Sequence, residues 1–372
     1  MRLRHLFVVL KLTRSCNLNC TYCYEGIHSP LFMAEDVAIK CIDQVTEISD
    51  HVVFTLHGGE PLLAGKEFFR KLLAAEQRKR TPHQVIINHI QTNATLIDEE
   101  WIDIFQGYGI GVGISLDGPL PVHDRHRLFA SGQGTFETIH DNIEAMKSRG
   151  IELNCLAVIT KESLRAVSTI FQFYQTGPFR NIDFLPCVNR NGDRSAKRSD
   201  GTLSPLEYAE FMNAFFDLWV GSGKPFGVRT FDDILQMMMG HESDTCVFLY
   251  PKACGHQVIA INVNGDVYPC DKFIGIERMR MGNIAHEPLQ ELLGNTRTRE
   301  LLAAANALPK RCTRCHFVKF CYGACLYHRR LRASSGNRES YYCRSNRMMF
   351  RHIEKWISTS GGVNACKIVS GL

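Results

Sequence analysis

The sequence predicts a parallel α/β fold, and three observations support this prediction. Short runs rich in Val, Ile and Leu alternate with longer amphipathic segments from residue 6 to about residue 190. A hydrophobic content of 45% and a charged content of 22% are typical of a globular protein. The 372 residues suffice for two or three domains, or for one barrel with additions. Repeated βα units therefore predict either an open doubly wound sheet or a partial barrel.

Six strands and five intervening helices make up this repeating part. The apolar runs that suit buried strands lie at residues 6–10, 52–56, 85–90, 112–116, 154–159 and 182–185. The helices between them are expected at residues 34–48, 66–77, 98–106, 135–149 and 162–175. After residue 190 the alternation stops, and a polar, turn-rich stretch precedes another helix predicted at residues 205–220.

Polar or cysteine-containing segments follow four of the predicted strands. They lie at residues 16–23, 58–60, 91–93 and 115–119. In parallel α/β folds, the carboxyl ends of the strands form the functional edge of the sheet. We therefore expect these segments to converge on one rim.

The chain contains 15 cysteines, although a chain of this length does not need disulfides to stabilise its fold. Disulfides in an exported protein, metal sites and iron–sulfur clusters are the three explanations. The basic start is followed by only five apolar residues and no cleavage site, so it does not predict a secretory signal. No apolar run approaches the ~18 residues of a membrane helix. We therefore expect a cytoplasmic protein without membrane contact, and the net charge of +5 is too small to indicate nucleic-acid binding.

Three cysteines, Cys16, Cys20 and Cys23, lie close together just after the first predicted strand. Three thiolates on a four-iron cluster leave one iron open to a small molecule. An incomplete zinc site or three buried thiols is the plain alternative. Cysteines in apolar surroundings are expected in the core instead, namely Cys41, Cys155 and Cys187.

A second group of eight cysteines occupies the C-terminal region. Eight thiolates suit two fully ligated four-iron clusters, and two zinc sites fit the ligand count equally well. The CxxCH of residues 312–316 also matches a haem-attachment motif, but that reading requires export and leaves six cysteines unused. Seven arginines between residues 329 and 351 are predicted to form a solvated helical face, with contact to a peptide or nucleic acid as the alternative. The eight cysteines are Cys246, Cys254, Cys270, Cys312, Cys315, Cys321, Cys325 and Cys343.

The segment CNLNCTYC at residues 16–23 resembles the CxxxCxxC signature of radical S-adenosylmethionine (radical SAM) enzymes. The resemblance implies a partial (β/α)6 TIM-like barrel, in which the methionine part of SAM chelates the open iron of a [4Fe–4S] cluster. Gly58, Gly59 and Glu60, followed by Pro61, resemble the GGE motif that holds the methionyl ammonium. By the same similarity, the ribose, carboxylate and adenine of SAM are contacted by Asn93, Ser115, Arg127 and Val188.

The C-terminal cysteines, with Gly265 shortly before Cys270, resemble the SPASM extension of radical SAM enzymes that modify peptides and proteins. This similarity implies two auxiliary [4Fe–4S] clusters and three clusters in all. The cluster nearer the active site is then held by Cys246, Cys254, Cys270 and Cys325, and the outer one by Cys312, Cys315, Cys321 and Cys343. The predicted domains are the partial barrel at 1–190, a linker and helical segment at 191–240, the SPASM domain at 241–350 and a tail at 351–372.

The resemblance also implies a 5′-deoxyadenosyl radical that abstracts hydrogen from an unreactive C–H bond. An external electron donor of the flavodoxin or ferredoxin type would start this chemistry. The carbon radical must then lose a proton and an electron to give an oxidised product. Asp271 directly follows Cys270 and is predicted to accept the proton, as an aspartate at this position does in sulfatase-maturing relatives. A loop aspartate that caps backbone amides is the alternative.

Nearly the whole chain resembles the anaerobic sulfatase-maturing enzymes, with two departures. Those enzymes typically have Cys-Phe-Tyr and Gln-Gly-Gly-Glu, where this chain has Cys-Tyr-Glu at 23–25 and His-Gly-Gly-Glu at 57–60. The altered motifs are frequent in maturases of ribosomally synthesised peptides (RiPPs), including those that form cyclophane crosslinks. We therefore expect a peptide maturase that crosslinks a precursor peptide, with Glu25 and His57 near the substrate. The alternatives are a sulfatase maturase that forms formylglycine, a non-catalytic electron carrier and a zinc-binding module.

Overall fold

The computed structural model describes residues 3–23, 25, 30–188, 201–241, 243, 254–330 and 339–359. Its strands are β1 (Leu6–Thr13), β2 (His51–Gly58), β3 (Val85–Thr92), β4 (Gly111–Ser115), β5 (Leu153–Ile159), β6 (Phe179–Pro186), β7 (Gly227–Val228), β8 (Val258–Ile261), β9 (Asp266–Tyr268) and β10 (Gly282–Asn283). Within the described residues they form one sheet in the order β10-β9-β8-β1-β2-β3-β4-β5-β6-β7.

Helices connect most of these strands. They are α1 (Glu35–Ile48), α2 (Lys66–Lys79), α3 (Glu99–Tyr108), α4 (Leu120–His123), α5 (Phe136–Ser148), α6 (Val167–Thr176), α7 (Pro205–Gly221), α8 (Arg229–Met238), α9 (Leu289–Gly294), α10 (Thr296–Asn306), α11 (Val318–Cys321), α12 (Leu326–Arg330) and α13 (Cys343–Thr359). Short 3₁₀ helices occupy Pro61–Ala64, Ser163–Arg165, Asp271–Phe273, Glu277–Met279 and Cys312–Arg314.

The strand order settles the choice between the two predicted α/β architectures. Strands β1 to β6 are parallel and lie side by side in sequence order, with helices between them. A doubly wound sheet reverses its strand order near the middle, whereas a barrel keeps it. The predicted partial (β/α)6 barrel is therefore confirmed.

The helix ends follow local chemistry. The Asp98 side chain accepts a hydrogen bond from the Trp101 backbone N–H at 2.9 Å and so begins α3, and Gly109 ends the helix in a left-handed conformation with φ 62°. Ser204 and Glu207 form a reciprocal capping box at the start of α7. Helix 162–175 is shorter than predicted, because a 3₁₀ turn precedes α6.

The C-terminal region continues the sheet of the barrel. Strand β8 pairs in parallel with β1, and β9 pairs with β8 in antiparallel orientation. At the opposite edge of the sheet, β7 pairs with β6. Helices α7 and α8, which flank β7 in the chain, contribute Phe215, Phe216 and Phe231 to the main core. Helix α13 crosses the boundary predicted at residue 350, and its Trp356 ring contacts that of Phe216 on α7.

A smaller core surrounds part of the second cysteine group. Its buried members are Tyr268, Phe273, Met279, Leu326 and Tyr327, and Cys254, Cys270 and Cys325 pack against them. In the barrel, Cys41, Cys155 and Cys187 are buried as predicted. Among the described residues, no helix has the length and apolar character required to cross a membrane.

Candidate active site

The first cysteine loop lies at the carboxyl edge of the sheet, directly after β1. The thiol of Cys16 interacts electrostatically with those of Cys20 and Cys23, so the loop gathers the predicted triplet. Burial raises the pKa of the Cys16 thiol to about 12 and that of Cys20 to about 11. Thiols in such surroundings need a metal cation to be held as thiolates at neutral pH.

The Gly58–Gly59 pair allows two backbones to approach closely. The Gly59 N–H donates to the Thr13 carbonyl at 3.0 Å, and the Glu60 N–H donates to the Ser15 carbonyl at 2.8 Å. A Cβ atom at Gly58 would lie 2.4 Å from the Thr13 oxygen, and one at Gly59 would lie 2.2 Å from the Ser15 oxygen. Only glycine fits here, so the pair fixes the β2 edge against the segment that leads into Cys16.

Glu60 is fully buried, and both of its carboxylate oxygens are engaged. Oε1 accepts from the Leu62 N–H at 3.0 Å and the Thr92 hydroxyl at 2.8 Å, and Oε2 accepts from the Asn93 N–H at 2.7 Å. Burial nevertheless raises the pKa of Glu60 to about 7. A carboxylate held in this way fits a cationic ligand group such as the SAM ammonium, which would favour its ionised form.

Asn93 and Ser115 follow on the neighbouring strand ends. The Asn93 amide donates to the Asn17 oxygen at 2.9 Å and lies 3.9 Å from the Cys16 sulfur, which links it to the cysteine loop. The Ser115 hydroxyl accepts from the Gln91 side chain at 3.0 Å. Val188 lies two residues after β6 and is partly buried against the main core. All these residues lie at the same edge of the sheet, although their contacts with SAM remain predictions.

Arg127 takes part in a buried network that the sequence did not predict. Its Nε donates to Asp117 Oδ1 at 3.1 Å, and the Tyr22 hydroxyl donates to Asp117 Oδ2. The guanidinium lies over the Tyr22 ring at 5.6 Å and interacts electrostatically with Cys20. Asp117 lies in the strand-end stretch 115–119, which was the available signal for its importance. The network connects the cysteine loop to the end of β4.

A second charged group faces the interior side of the sheet. Lys11 on β1 and His57 on β2 are direct partners in the parallel register, on the face opposite the core residues Leu10 and Leu56. The Lys11 ammonium forms a buried ion pair with Glu25. Burial and the Lys11 charge lower the pKa of His57, so its imidazole is neutral at pH 7. The sequence pattern indicated Glu25 and His57 but missed Lys11.

Asp271 belongs to the same charged group. It begins the 3₁₀ turn that follows Cys270, and it interacts electrostatically with His57 and Lys11. Burial alone would raise its pKa, but the positive charges of Lys272 and Lys11 help to outweigh this effect, and the pKa is lowered. Asp271 is therefore a carboxylate, able to accept a proton, between the barrel interior and the C-terminal cysteines.

The C-terminal cysteines fall into two groups in space. The Cys270 thiol interacts electrostatically with those of Cys254 and Cys325, and these three cysteines form the inner set. The outer set comprises Cys312, Cys315, Cys321 and Cys343, whose thiols interact with one another. Cys246, predicted as the fourth member of the inner set, lies outside the described residues. Apart from Cys246, the grouping follows the division that the SPASM resemblance implies, and the role of these cysteines as cluster ligands stays a prediction.

None of the cysteines that the structure describes forms a disulfide. In the same described ranges, no three His, Cys, Asp or Glu side chains converge on a single metal ion. A four-iron cluster bonds each thiolate to a different iron atom, so its ligands need not converge on one point. The grouping and the soft thiol chemistry of the three sets therefore fit iron–sulfur clusters.

Two family models match the chain. Residues 10–174 match the model of the radical SAM superfamily. Residues 253–316 match that of SPASM, an iron–sulfur cluster-binding domain. The two matches fall on the barrel and on the C-terminal cysteine region.

Similar proteins cover almost the whole chain. A cysteine-type anaerobic sulfatase-maturating enzyme of Clostridium perfringens is 30% identical over 348 residues, which cover 91% of this chain and 93% of that protein. A serine-type anaerobic sulfatase-maturating enzyme of Bacteroides thetaiotaomicron is also 30% identical, over 95% of this chain and 90% of that protein.

Solved structures show the same fold. Native anSMEcpe with bound AdoMet and Cp18Cys peptide has a TM-score of 0.88 at 27% identity, covering 99% of this chain and 100% of that chain. Streptococcus suis SuiB bound to precursor peptide SuiA has a TM-score of 0.69 at 17% identity, covering 91% of this chain and 76% of that chain. The likeness to SuiB concerns the fold alone.

Proposed function

Because the chain belongs to the family of radical SAM enzymes with a SPASM domain that includes the anaerobic sulfatase-maturating enzymes, we propose that it oxidises a cysteine or serine side chain of a protein to formylglycine. The similarity to maturating enzymes over more than nine tenths of the chain carries this proposal. It reverses the order predicted from the sequence, in which a crosslinking RiPP maturase came first. Since a cysteine-type relative and a serine-type relative are both 30% identical, the target residue is either cysteine or serine.

The edge of the barrel supports SAM binding. Glu60 would hold the ammonium, and Asn93, Ser115, Arg127 and Val188 would contact the rest of the molecule. When bound, SAM and the first cluster supply an oxidising carbon radical, which is a property of the cofactor. The role of the protein is to orient the substrate carbon and exclude water, and the buried network of Tyr22, Asp117 and Arg127 would keep the cysteine loop rigid for this purpose.

The two C-terminal cysteine sets would hold two auxiliary [4Fe–4S] clusters, giving three clusters in the protein. Cys246 would complete the inner set. An external flavodoxin or ferredoxin would supply the electron that starts each turnover. Because unligated thiols survive in reducing surroundings, we place the protein in the cytoplasm.

Asp271 would accept the proton that substrate oxidation releases. Conversion of a serine CH₂–OH to an aldehyde removes two hydrogens, that is, two protons and two electrons. For a cysteine, the same removal gives a thioaldehyde, which water converts to the aldehyde with release of hydrogen sulfide. One hydrogen leaves as an atom, and the remaining proton and electron must leave separately. Asp271 is an anion beside the barrel interior, and its neighbour Cys270 belongs to the inner cysteine set, which would accept the electron.

A second candidate is the crosslinking of two side chains in a precursor peptide. The buried charged group of Lys11, Glu25 and His57 favours it, because Glu25 and His57 stand where sulfatase maturases typically have other residues. Crosslinking also removes two hydrogens, so the same base and electron acceptor would serve. The candidates differ in the product.

The proposal is tested by anaerobic reaction of the reconstituted protein with peptides copied from the segment of a sulfatase that is converted to formylglycine. These peptides carry either Cys or Ser at the target position. Trapping with a hydrazine and tandem mass spectrometry should locate an aldehyde at that residue. A matched peptide with Ala at the target should remain unchanged. A peptide that loses two hydrogens and acquires a bond between two side chains would favour the second candidate instead.

A further inference from the structure

Arg329 is a buried arginine in the C-terminal region, not part of the solvated face predicted from the sequence. Only 5% of the residue is exposed. Its backbone N–H donates to the Cys325 carbonyl at 3.1 Å, so it follows this cysteine by one turn of α12. One terminal guanidinium nitrogen donates to the Ala307 carbonyl at 3.1 Å. The buried Nε atom has no hydrogen-bond partner among the described residues.

The guanidinium lies at the junction of the two cysteine sets. Cys321 of the outer set and Cys325 of the inner set are separated by Tyr322, Gly323 and Ala324, which all have positive φ angles of 45°, 86° and 59°. A Cβ atom at Gly323, the middle residue, would lie 3.7 Å from the central carbon of the Arg329 guanidinium. The side chain therefore packs over the short link between the sets.

Electrostatic contacts join Arg329 to both sets. It interacts with Cys254 and Cys325 of the inner set and with Cys312 and Cys321 of the outer set. A buried cation with an unsatisfied N–H is costly unless anionic groups surround it. Two four-thiolate clusters would supply that negative charge, since each carries a net negative charge when fully ligated. Cluster potentials depend on net charge and on hydrogen bonds to the sulfurs.

We propose that Arg329 is a shared positioning residue of the two auxiliary clusters, whose charge and free Nε–H raise the reduction potentials of both. A positive charge near a cluster stabilises its reduced form more than its oxidised form. One cation between two clusters would act on both at once, so that the inner cluster accepts the substrate electron more readily and the outer one can draw it away. This inference rests on the proposed auxiliary clusters.

The test compares full-length wild type with Arg329→Ala and Arg329→Lys after anaerobic reconstitution. Iron and sulfide analysis comes first, followed by redox titrations monitored by electron paramagnetic resonance. In Arg329→Ala, the one-electron reduction equilibrium of both auxiliary clusters should become at least tenfold less favourable, about 59 mV more negative. Arg329→Lys keeps the charge and should lie closer to wild type than Arg329→Ala does.

Arg311→Ala is the matched control. Arg311 directly precedes Cys312, but its side chain is 86% exposed and pairs with Glu339 at 3.3 Å. Because water screens an exposed charge, this variant should leave both potentials unchanged. If Arg329→Ala has no larger effect than Arg311→Ala at full iron content, the inference is overturned.

A loss of iron is also informative. If Arg329→Ala loses auxiliary clusters, reconstitution with guanidinium chloride should restore them, whereas equimolar sodium chloride should not. Failure of guanidinium to restore either iron or potential would overturn the role of Arg329. A wild-type protein with about four irons instead of about twelve would refute the auxiliary clusters themselves, which separates the two failures.

Discussion

The ammonium of Lys11 on β1 forms an ion pair with the carboxylate of Glu25, and their side chains are only 1% and 7% exposed. The pair links β1 to Glu25, which lies two residues after Cys23. Removal of one partner from such a pair leaves an uncompensated buried charge, which costs far more than the loss of an exposed pair.

Lys11→Met is therefore expected to lower the free energy of unfolding by about 3–5 kcal/mol in urea titrations followed by circular dichroism. Lys147→Met is the control, because Lys147 pairs with Glu144 at 3.0 Å on the exposed surface of α5 and should contribute less than about 1 kcal/mol. The double variant Lys11→Met/Glu25→Gln should recover part of the loss. If the two lysine variants lose the same free energy of unfolding, burial of the Lys11–Glu25 pair does not make it more important for stability than an exposed pair.

Gly59→Ala should disrupt the first cluster. The new methyl group would lie 2.2 Å from the Ser15 carbonyl oxygen, so the segment before Cys16 must move. We expect the variant to lose about four irons per chain and to cease cleaving SAM. Gly107→Ala on α3 meets open space and should keep full iron content, with stability equal to or above wild type. Normal iron and SAM cleavage in Gly59→Ala would refute this account of the glycine pair.

Glu60 should make stability depend on pH. Its pKa is raised from 4.5 to about 7 by burial, so the folded protein binds the proton more tightly than the unfolded chain. Protonation of Glu60 therefore contributes to the free energy of unfolding. This contribution is fully present below pH 4.5 and is lost as the pH rises through about 7.

Comparison with Glu60→Gln isolates this group, because glutamine does not titrate. Without SAM, the stability of wild type relative to the variant should fall by about 2 kcal/mol between pH 5 and pH 7.5. Urea unfolding at both pH values measures it. If the stability of wild type relative to Glu60→Gln stays constant, or rises with pH, burial does not raise the pKa of Glu60.

Asp271→Asn should separate SAM cleavage from product formation. Asparagine keeps the size of the side chain but cannot accept the proton, so product should fall at least about 100-fold while SAM cleavage continues. Liquid chromatography of 5′-deoxyadenosine and mass spectrometry of the peptide measure the two quantities. Asp103→Asn, on the exposed surface of α3, serves as the control. Product formed at the normal rate by Asp271→Asn would exclude Asp271 as the base.

The repeating part of the fold was predictable because its elements are long and periodic. The continuous apolar run of β1 and the amphipathic pattern of α1 are both visible in the local sequence. Strands β7 and β10 have only two residues each, too few for a pattern. Their pairing depends on contacts between distant parts of the chain, which a local pattern does not encode.

Site residues that belong to sequence motifs were predictable, whereas those that are brought to the site by tertiary packing were not. Cys16 and Glu60 belong to recognisable spacings, but Lys11 follows the apolar run at 6–10 and belongs to no motif. Its burial follows from a partner 14 residues away. Arg329 was predicted on a solvated face, and this prediction was wrong, because the short helix α12 turns it toward the cysteines. Charge patterns along a sequence do not reveal which cations are enclosed.

The most direct test of the proposed function uses the same sulfatase peptides, deuterated at the β-carbon of the target Cys or Ser. If the protein forms formylglycine, mass spectrometry should find one deuterium in 5′-deoxyadenosine and an aldehyde at the labelled residue. An unlabelled 5′-deoxyadenosine with an unchanged peptide, or a product in which two side chains are linked, would contradict the proposal.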